Sequence, residues 1–329
     1  MAERMPAPVH AALTHAEVQT RKSLSIPSVS KGVNIDLSQY LIVIYAREGW
    51  GKTTAFASWP EMLFFGFEPG TKHLDVREFF QQNSIEPSWE GFRSAVDLLC
   101  PRSGARLPGV QSVCMDTTDR MYNLCSDCVC KELGIDHISL DVKGKRDRSG
   151  MGWDAVKKEF TTQLYRLAQR GYGVTMTSHS KLTEVETAAK QTFSIITPSM
   201  SGQALTVVRQ ISNYIFYGEY MKCSDGQTHH ILITQGDEFI VAKSQGLQGR
   251  RFPKYLLLPD PDDGSGDTAY AMIRDVFLGE RGGVDPANFV LTDAGKRTSA
   301  SVVARSLMSD KARAAALRLP GRINTPARQ

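Results

Sequence analysis

The sequence predicts an α/β fold with a mostly parallel central sheet flanked by helices, and three observations carry that expectation. Leu41 to Ala57 reads as an apolar strand, a glycine-containing turn and a helix. Further short apolar runs begin at Met62, Val110 and Val174 and are separated by helix-like segments, the pattern of strands buried on both faces. Polar residues close these runs, Glu68, Asp116 and Ser178-His179, at the edge where open parallel sheets bind ligands.

A chain of 329 residues with 41% hydrophobic content suits one substantial core with appendages. No run approaches the roughly 18 apolar residues of a membrane span, and Met-Ala-Glu-Arg-Met-Pro is no signal segment. A cytoplasmic protein without membrane contact is expected, its six cysteines reduced. Cys125, Cys128 and Cys130 lack a second pair at zinc-finger spacing and suit buried helix positions. The formal charge of +4 is unevenly placed: residues 296–329 carry +7 and residues 1–31 carry +2, which leaves −5 for the middle.

Three regions follow. Residues 1–35 form a flexible leader with a short helix around His10 to Arg21, residues 36–260 form the core, and residues 261–329 hold an acidic linker, a short helix and a basic tail. The tail composition suits an Ala/Arg-rich helix at Lys311 to Leu319.

Within the core, Ala46-Arg47-Glu48-Gly49-Trp50-Gly51-Lys52-Thr53-Thr54 satisfies a phosphate-loop pattern from Gly51 onward, with Ala46 where a first glycine is usual. Backbone N–H groups of such a loop wrap a triphosphate, and the following helix adds its positive dipole end. Lys52 would reach the β- and γ-phosphates of ATP, and Thr53 would join the Mg²⁺ shell. After Pro60, the run Met62 to Phe67 reads as a second strand that ends at Glu68, either a site acid or an exposed loop acid. Trp89 to Cys100 is helix-like, and Val110 to Asp116 is a strand ending in an acid, the mark of a Walker B site. Asp119 to Leu133 continues as helix.

The loop Asp141 to Gly152 carries Lys143, Lys145, Arg146 and Arg148 among glycines; phosphate-backbone binding and a solvated surface loop are both consistent with it. Trp153 to Arg170 places Trp153, Val156, Phe160, Leu164 and Leu167 at helical spacing. Val174 to Ser178 is a strand that delivers Ser178 and His179 to the same edge, where His179 is a phosphate sensor or a structural histidine. Thr183 to Ala204 reads as a long loop, of a length that is usually functional or disordered. Asn213 to Tyr217 is a strand, and His230–Thr234 with Glu238–Lys243 suggests a hairpin around Gly236-Asp237.

In order and spacing these motifs resemble a RecA-like P-loop ATPase core, in particular the compact phage-encoded AAA-family ATPases that include single-strand annealing recombinases. The resemblance spans roughly Gly32 to Pro259. It implies that Glu68 orients the attacking water, that Ser178 or His179 contacts the γ-phosphate, and that Lys243 enters a neighbouring subunit's site. Relatives often carry an Arg two positions after that lysine; this chain has Gln245, with Arg250 and Arg251 nearby. It also implies two DNA-binding loops, here Asp141 to Gly152 and Thr183 to Ala204, the second with Phe193 available for stacking on bases.

The expected protein is an oligomeric (ring or filament), ATP- and Mg²⁺-dependent ATPase that binds single-stranded DNA in recombination, annealing or repair. The alternatives are a nucleotide-binding module with little turnover, suggested by Ala46 and Gln245, and a P-loop kinase. A role in recruiting a single-strand-binding protein through the tail is compatible with the first.

Overall fold

The computed structural model describes residues 29–146, 149–186, 190, 192–246, 252–259 and 267–288. Packing divides the chain into Met1–Asn34 and Ile35–Gln329, and every element below belongs to the second unit. The leader helix, Arg148, Arg250, Arg251 and the tail helix lie outside the described residues.

The elements run β1 (Leu41–Ala46), α1 (Lys52–Ala57), β2 (Met62–Gly66), β3 (Arg77–Glu78), α2 (Phe79–Gln82), α3 (Trp89–Leu99), β4 (Ser112–Asp116) and α4 (Thr118–Leu133). Then follow α5 (Met151–Gln169), β5 (Gly173–Glu186), β6 (Thr192–Pro198), α6 (Gly202–Ile211), β7 (Tyr214–Lys222), β8 (Thr228–Ile233), β9 (Tyr255–Leu257) and α7 (Ala269–Leu278). The sheet has the order β3-β2-β4-β5-β1-β7-β8-β9, with β6 paired to β5. From β3 to β7 the strands are parallel; β8 and β9 are antiparallel. This is a mixed α/β fold with a mostly parallel central sheet flanked by helices and an antiparallel C-terminal hairpin.

Strand β1 shows why the sequence folds this way. All six of its residues are buried, and they alternate between two cores. Leu41, Val43 and Tyr45 join the cluster containing Trp89, Phe92 and Phe160, under α3, α4 and α5. Ile42, Ile44 and Ala46 join Phe56, Ile273 and Phe277 under α1 and α7. Each large apolar side chain buried this way contributes about 1.5–3 kcal/mol. Cys125, Cys128 and Cys130 pack in the first core, where burial pushes the Cys128 thiol up to about 12.

Three local expectations need correction. Thr183 to Ala204 is not a loop: β5 continues to Glu186 and pairs antiparallel with β6, matching Val185 to Phe193 and Thr183 to Ile195. Cross-strand pairs of β-branched and aromatic residues outweigh the turn-like Ser, Thr and Pro content. The hairpin partner of β8 is β7, not Glu238–Lys243. The Asp237 carboxylate accepts from the backbone N–H groups of Phe239 and Ile240 and turns the chain away, so that Ile240 bridges Ile196 and Lys243 bridges Ile215. Trp153 is 36% exposed rather than part of the buried stripe of α5. Close approach at that helix start falls to Gly152, where a Cβ would stand 2.6 Å from the Ile138 carbonyl oxygen.

Candidate active site

Strand order decides what meets at the carboxyl edge of the sheet. β5 lies between β1 and β4, so the loop after β1 and the acid ending β4 face each other across the middle of β5, near Thr177 to His179. The loop itself runs from Arg47 to Gly51. Gly49 (φ 72°) and Gly51 (φ 93°) take left-handed backbone, and Gly51 caps α1; glycine adopts this region without the Cβ strain of other residues. The first N–H groups of α1 have no carbonyl partner within the helix, and Gly51, Lys52, Thr53 and Thr54 line the cleft.

Lys52 is buried, and in this structure its Nζ donates to the carbonyls of Arg47 (3.1 Å) and Ala46 (3.3 Å). Burial pushes its pKa down, against the pull of Asp116, Asp119, Glu68 and Glu48. Thr53 Oγ1 donates to Asp116 Oδ2 at 2.8 Å. Asp116 is 2% exposed, and its other oxygen, Oδ1, accepts from the Thr177 hydroxyl. Burial raises the Asp116 carboxyl pKa, only partly offset by these two hydrogen bonds. The Asp116–Thr117 peptide bond is cis.

Glu68 forms the opposite side. Thr117 Oγ1 donates to Glu68 Oε1 at 2.8 Å, and His179 Nε2 lies 3.4 Å from Glu68 Oε2. Asp119, in the first turn of α4, accepts from the Ser178 hydroxyl (2.7 Å) and from the His179 backbone N–H (2.9 Å). It thereby ties the middle of β5 to α4 next to His179. Lys52, Thr53, Glu68, Asp116, Thr117 and His179 line a cleft of about 500 Å³ that also takes in Glu48, Thr54 and, from the turn after β2, Gly70 and His73. Its size is that of a small-molecule site.

The sequence-derived residues are distributed unevenly around this cleft. Glu48, Gly49, Gly51, Lys52, Thr53, Thr54, Glu68, Asp116 and His179 line it. Ser178 is buried behind His179, and Ala46 contributes its carbonyl to Lys52. Arg47 is exposed, with its guanidinium 4.8 Å from the Tyr220 ring centre. Trp50 turns inward: it is 1% exposed and stacks on His230 at 5.8 Å. Its ring lies against Gly218, where a Cβ would come within 2.5 Å. Tyr220 completes this anchor by donating its hydroxyl to the Gly49 carbonyl at 3.1 Å, so β7 and β8 hold the loop from outside. A second cavity of about 250 Å³ shares Gly51 and Thr54 with the cleft and is walled by Trp50, His230, Leu258 and Ala269.

Lys243 is not brought to the cleft of its own chain. Its Nζ donates to the carbonyls of Ser212 (2.6 Å) and Arg209 (3.1 Å) at the end of α6, a favourable place for a cation. Gln245 accepts from Asn213 at 2.9 Å. Lys143, Lys145 and Arg146 are exposed on a turn braced by Asp141, which accepts from the N–H groups of Lys143 and Lys145. Phe193 is half-buried against Phe239, with ring centres 6.2 Å apart.

The donor set suits a magnesium ion. A carboxylate and a hydroxyl 2.8 Å apart are hard oxygen ligands, and Mg²⁺ is bound by one or two carboxylates together with phosphate oxygens and water. Burial disfavours the charged forms of Asp116 and Lys52 despite their mutual attraction. A cation beside the carboxylate and a phosphate beside the ammonium would offset that cost. Sequence reasoning missed Thr117, Thr177, His73 and Gly70. The Asp116-Thr-Thr-Asp119 run flagged Thr117 weakly, whereas Thr177 is identified only by strand order.

A profile of the AAA domain family matches residues 38–245. Among solved structures, the chain is similar to the flagellar accessory protein FlaH from Methanocaldococcus jannaschii at 8% identity. That match covers 67% of this chain and 85% of FlaH with a TM-score of 0.33. No curated protein is matched.

Proposed function

The chain belongs to the AAA domain family, and from that premise we propose that it binds ATP with Mg²⁺, hydrolyses it, and couples the cycle to single-stranded DNA. The observation that carries the nucleotide part is the convergence of Lys52, Thr53, Asp116 and Glu68 on one cleft from three different segments. The loop N–H groups and Lys52 hold the β- and γ-phosphates. Thr53 and Asp116 hold Mg²⁺, which when bound offsets charge on the phosphate oxygens. Glu68, positioned by Thr117, orients water for in-line attack on the γ-phosphorus. His179 reaches the same carboxylate and acts as the phosphate-sensing residue. The nucleoside extends past Thr54 into the smaller cavity beside His230 and Leu258.

The DNA part is supported by the exposed Lys143, Lys145 and Arg146 and by the projecting β5–β6 hairpin with Phe193. We assign the chain to DNA recombination, annealing or repair of the phage type, working as a homo-oligomer. Lys243 acts in trans only if its ammonium leaves the end of α6, and its present bonds favour a second reading, a nucleotide-dependent binding module with slow turnover. Phosphate release measured with and without single-stranded DNA across salt separates the two. Stimulation that fades as salt rises supports the ATPase, with a slope reduced by about one unit in Lys145→Ala. Binding of ATP and DNA without turnover supports the module, and indifference to DNA removes the DNA assignment.

A further inference from the structure

Both oxygens of Asp116 have partners, and the partners differ in kind. Oδ2 meets Thr53 Oγ1 at 2.8 Å on the cleft side. Oδ1 accepts from Thr177, which is fully buried in β5, the strand between β4 and the loop-bearing β1. The Thr177 hydroxyl also lies 3.4 Å from the Met115 carbonyl, and the strand on either side fixes its position. A carboxylate held by one oxygen cannot rotate freely. The remaining side of the Thr53–Asp116 pair is bordered by Gly70, where a Cβ would stand 3.2 Å from Asp116 Oδ2 and 3.6 Å from Thr53 Oγ1.

We propose that Thr177 is a positioning residue for cation binding. Its hydroxyl holds Oδ1 of Asp116 so that Oδ2 alone is presented, with Thr53, to a divalent cation, while Gly70 leaves space there for the cation's water shell. The proposal rests on the cleft being a Mg²⁺–nucleotide site. Outer partners of metal ligands commonly change metal affinity by about 10–100-fold when removed. Valine at position 177 keeps the β-branched shape and loses the donor, whereas serine keeps the donor.

The test is Mn²⁺ binding in the presence of ADP, followed by electron paramagnetic resonance on the full chain, alongside binding of a fluorescent ADP analogue in EDTA. Thr177→Val is expected to weaken Mn²⁺ by about 10-fold or more. Thr177→Ser should stay near wild type, and metal-free ADP binding should be equal in all three. Wild-type Mn²⁺ affinity in Thr177→Val, or an equal loss in Thr177→Ser, overturns the proposal. If wild type binds ADP but no Mn²⁺, the metal assignment itself fails and the proposal with it. Should Thr177→Val not fold, Gly70→Ala probes the same geometry: weaker Mn²⁺ binding supports it, and unchanged affinity overturns it.

Discussion

The two sides of the cleft are built differently. Around Asp116 the groups are cross-linked and mostly buried: the carboxylate is 2% exposed, with half-buried Thr53 on one oxygen and buried Thr177 on the other. Around Glu68 the side chains are open, 38% exposed for Glu68 and 29% for His179, and the imidazole contact is a long 3.4 Å. Rigid placement suits a group that must present one oxygen to a cation. Looseness suits a group that must admit water and respond to the γ-phosphate, since hydrogen bonds at empty catalytic sites often tighten only when the substrate arrives.

Removing the acid on the open side should have the larger effect on chemistry. Glu68→Gln keeps the acceptor for Thr117 but loses the base, so turnover is expected to fall by about 10²–10⁴-fold. ATP affinity should change by no more than about threefold, with phosphate release and equilibrium binding measured on the same preparation. A comparable loss of binding would mean that Glu68 is as structural as Asp116 and would erase the contrast.

The buried side makes a smaller, pH-dependent prediction about stability. Burial raises the Asp116 pKa, so folding favours proton uptake there. That contribution is full below the ordinary carboxylate range and is lost as pH rises through the raised value. Asp116→Asn removes the titration while leaving an oxygen for Thr177 and an amide for Thr53. Without metal it should be more stable than wild type at pH 8, by a gap that shrinks as the pH falls toward 4. Denaturant unfolding at the two pH values measures it. A wild type more stable than Asp116→Asn at pH 8 would show that the buried charge is fully compensated.

The division between legible and hidden features follows from what sequence can encode locally. The loop, its strand and the acids at the ends of β2 and β4 announce themselves through apolar runs and the residue that closes each. Thr177 does not, because its partner Asp116 is 61 residues away and becomes a neighbour only once β5 inserts between β1 and β4. Trp50 has the same character. A loop tryptophan has no local reason to be buried; the space comes from Gly218, on a strand formed much later in the chain. The β5–β6 hairpin was hidden by Ser, Thr and Pro, and the strap through Lys243 by the Asp237 turn. Contacts between elements set these features, and composition within a segment is silent about them.

Under the proposed function, Lys52 and its loop hold the phosphates of ATP in a cleft that hydrolyses it. Measuring ATP binding and phosphate release in wild type and Lys52→Ala tests this most directly. Losing a charge-assisted contact should weaken binding by about 10–100-fold and bring phosphate release to background. Unchanged turnover in Lys52→Ala would contradict the account.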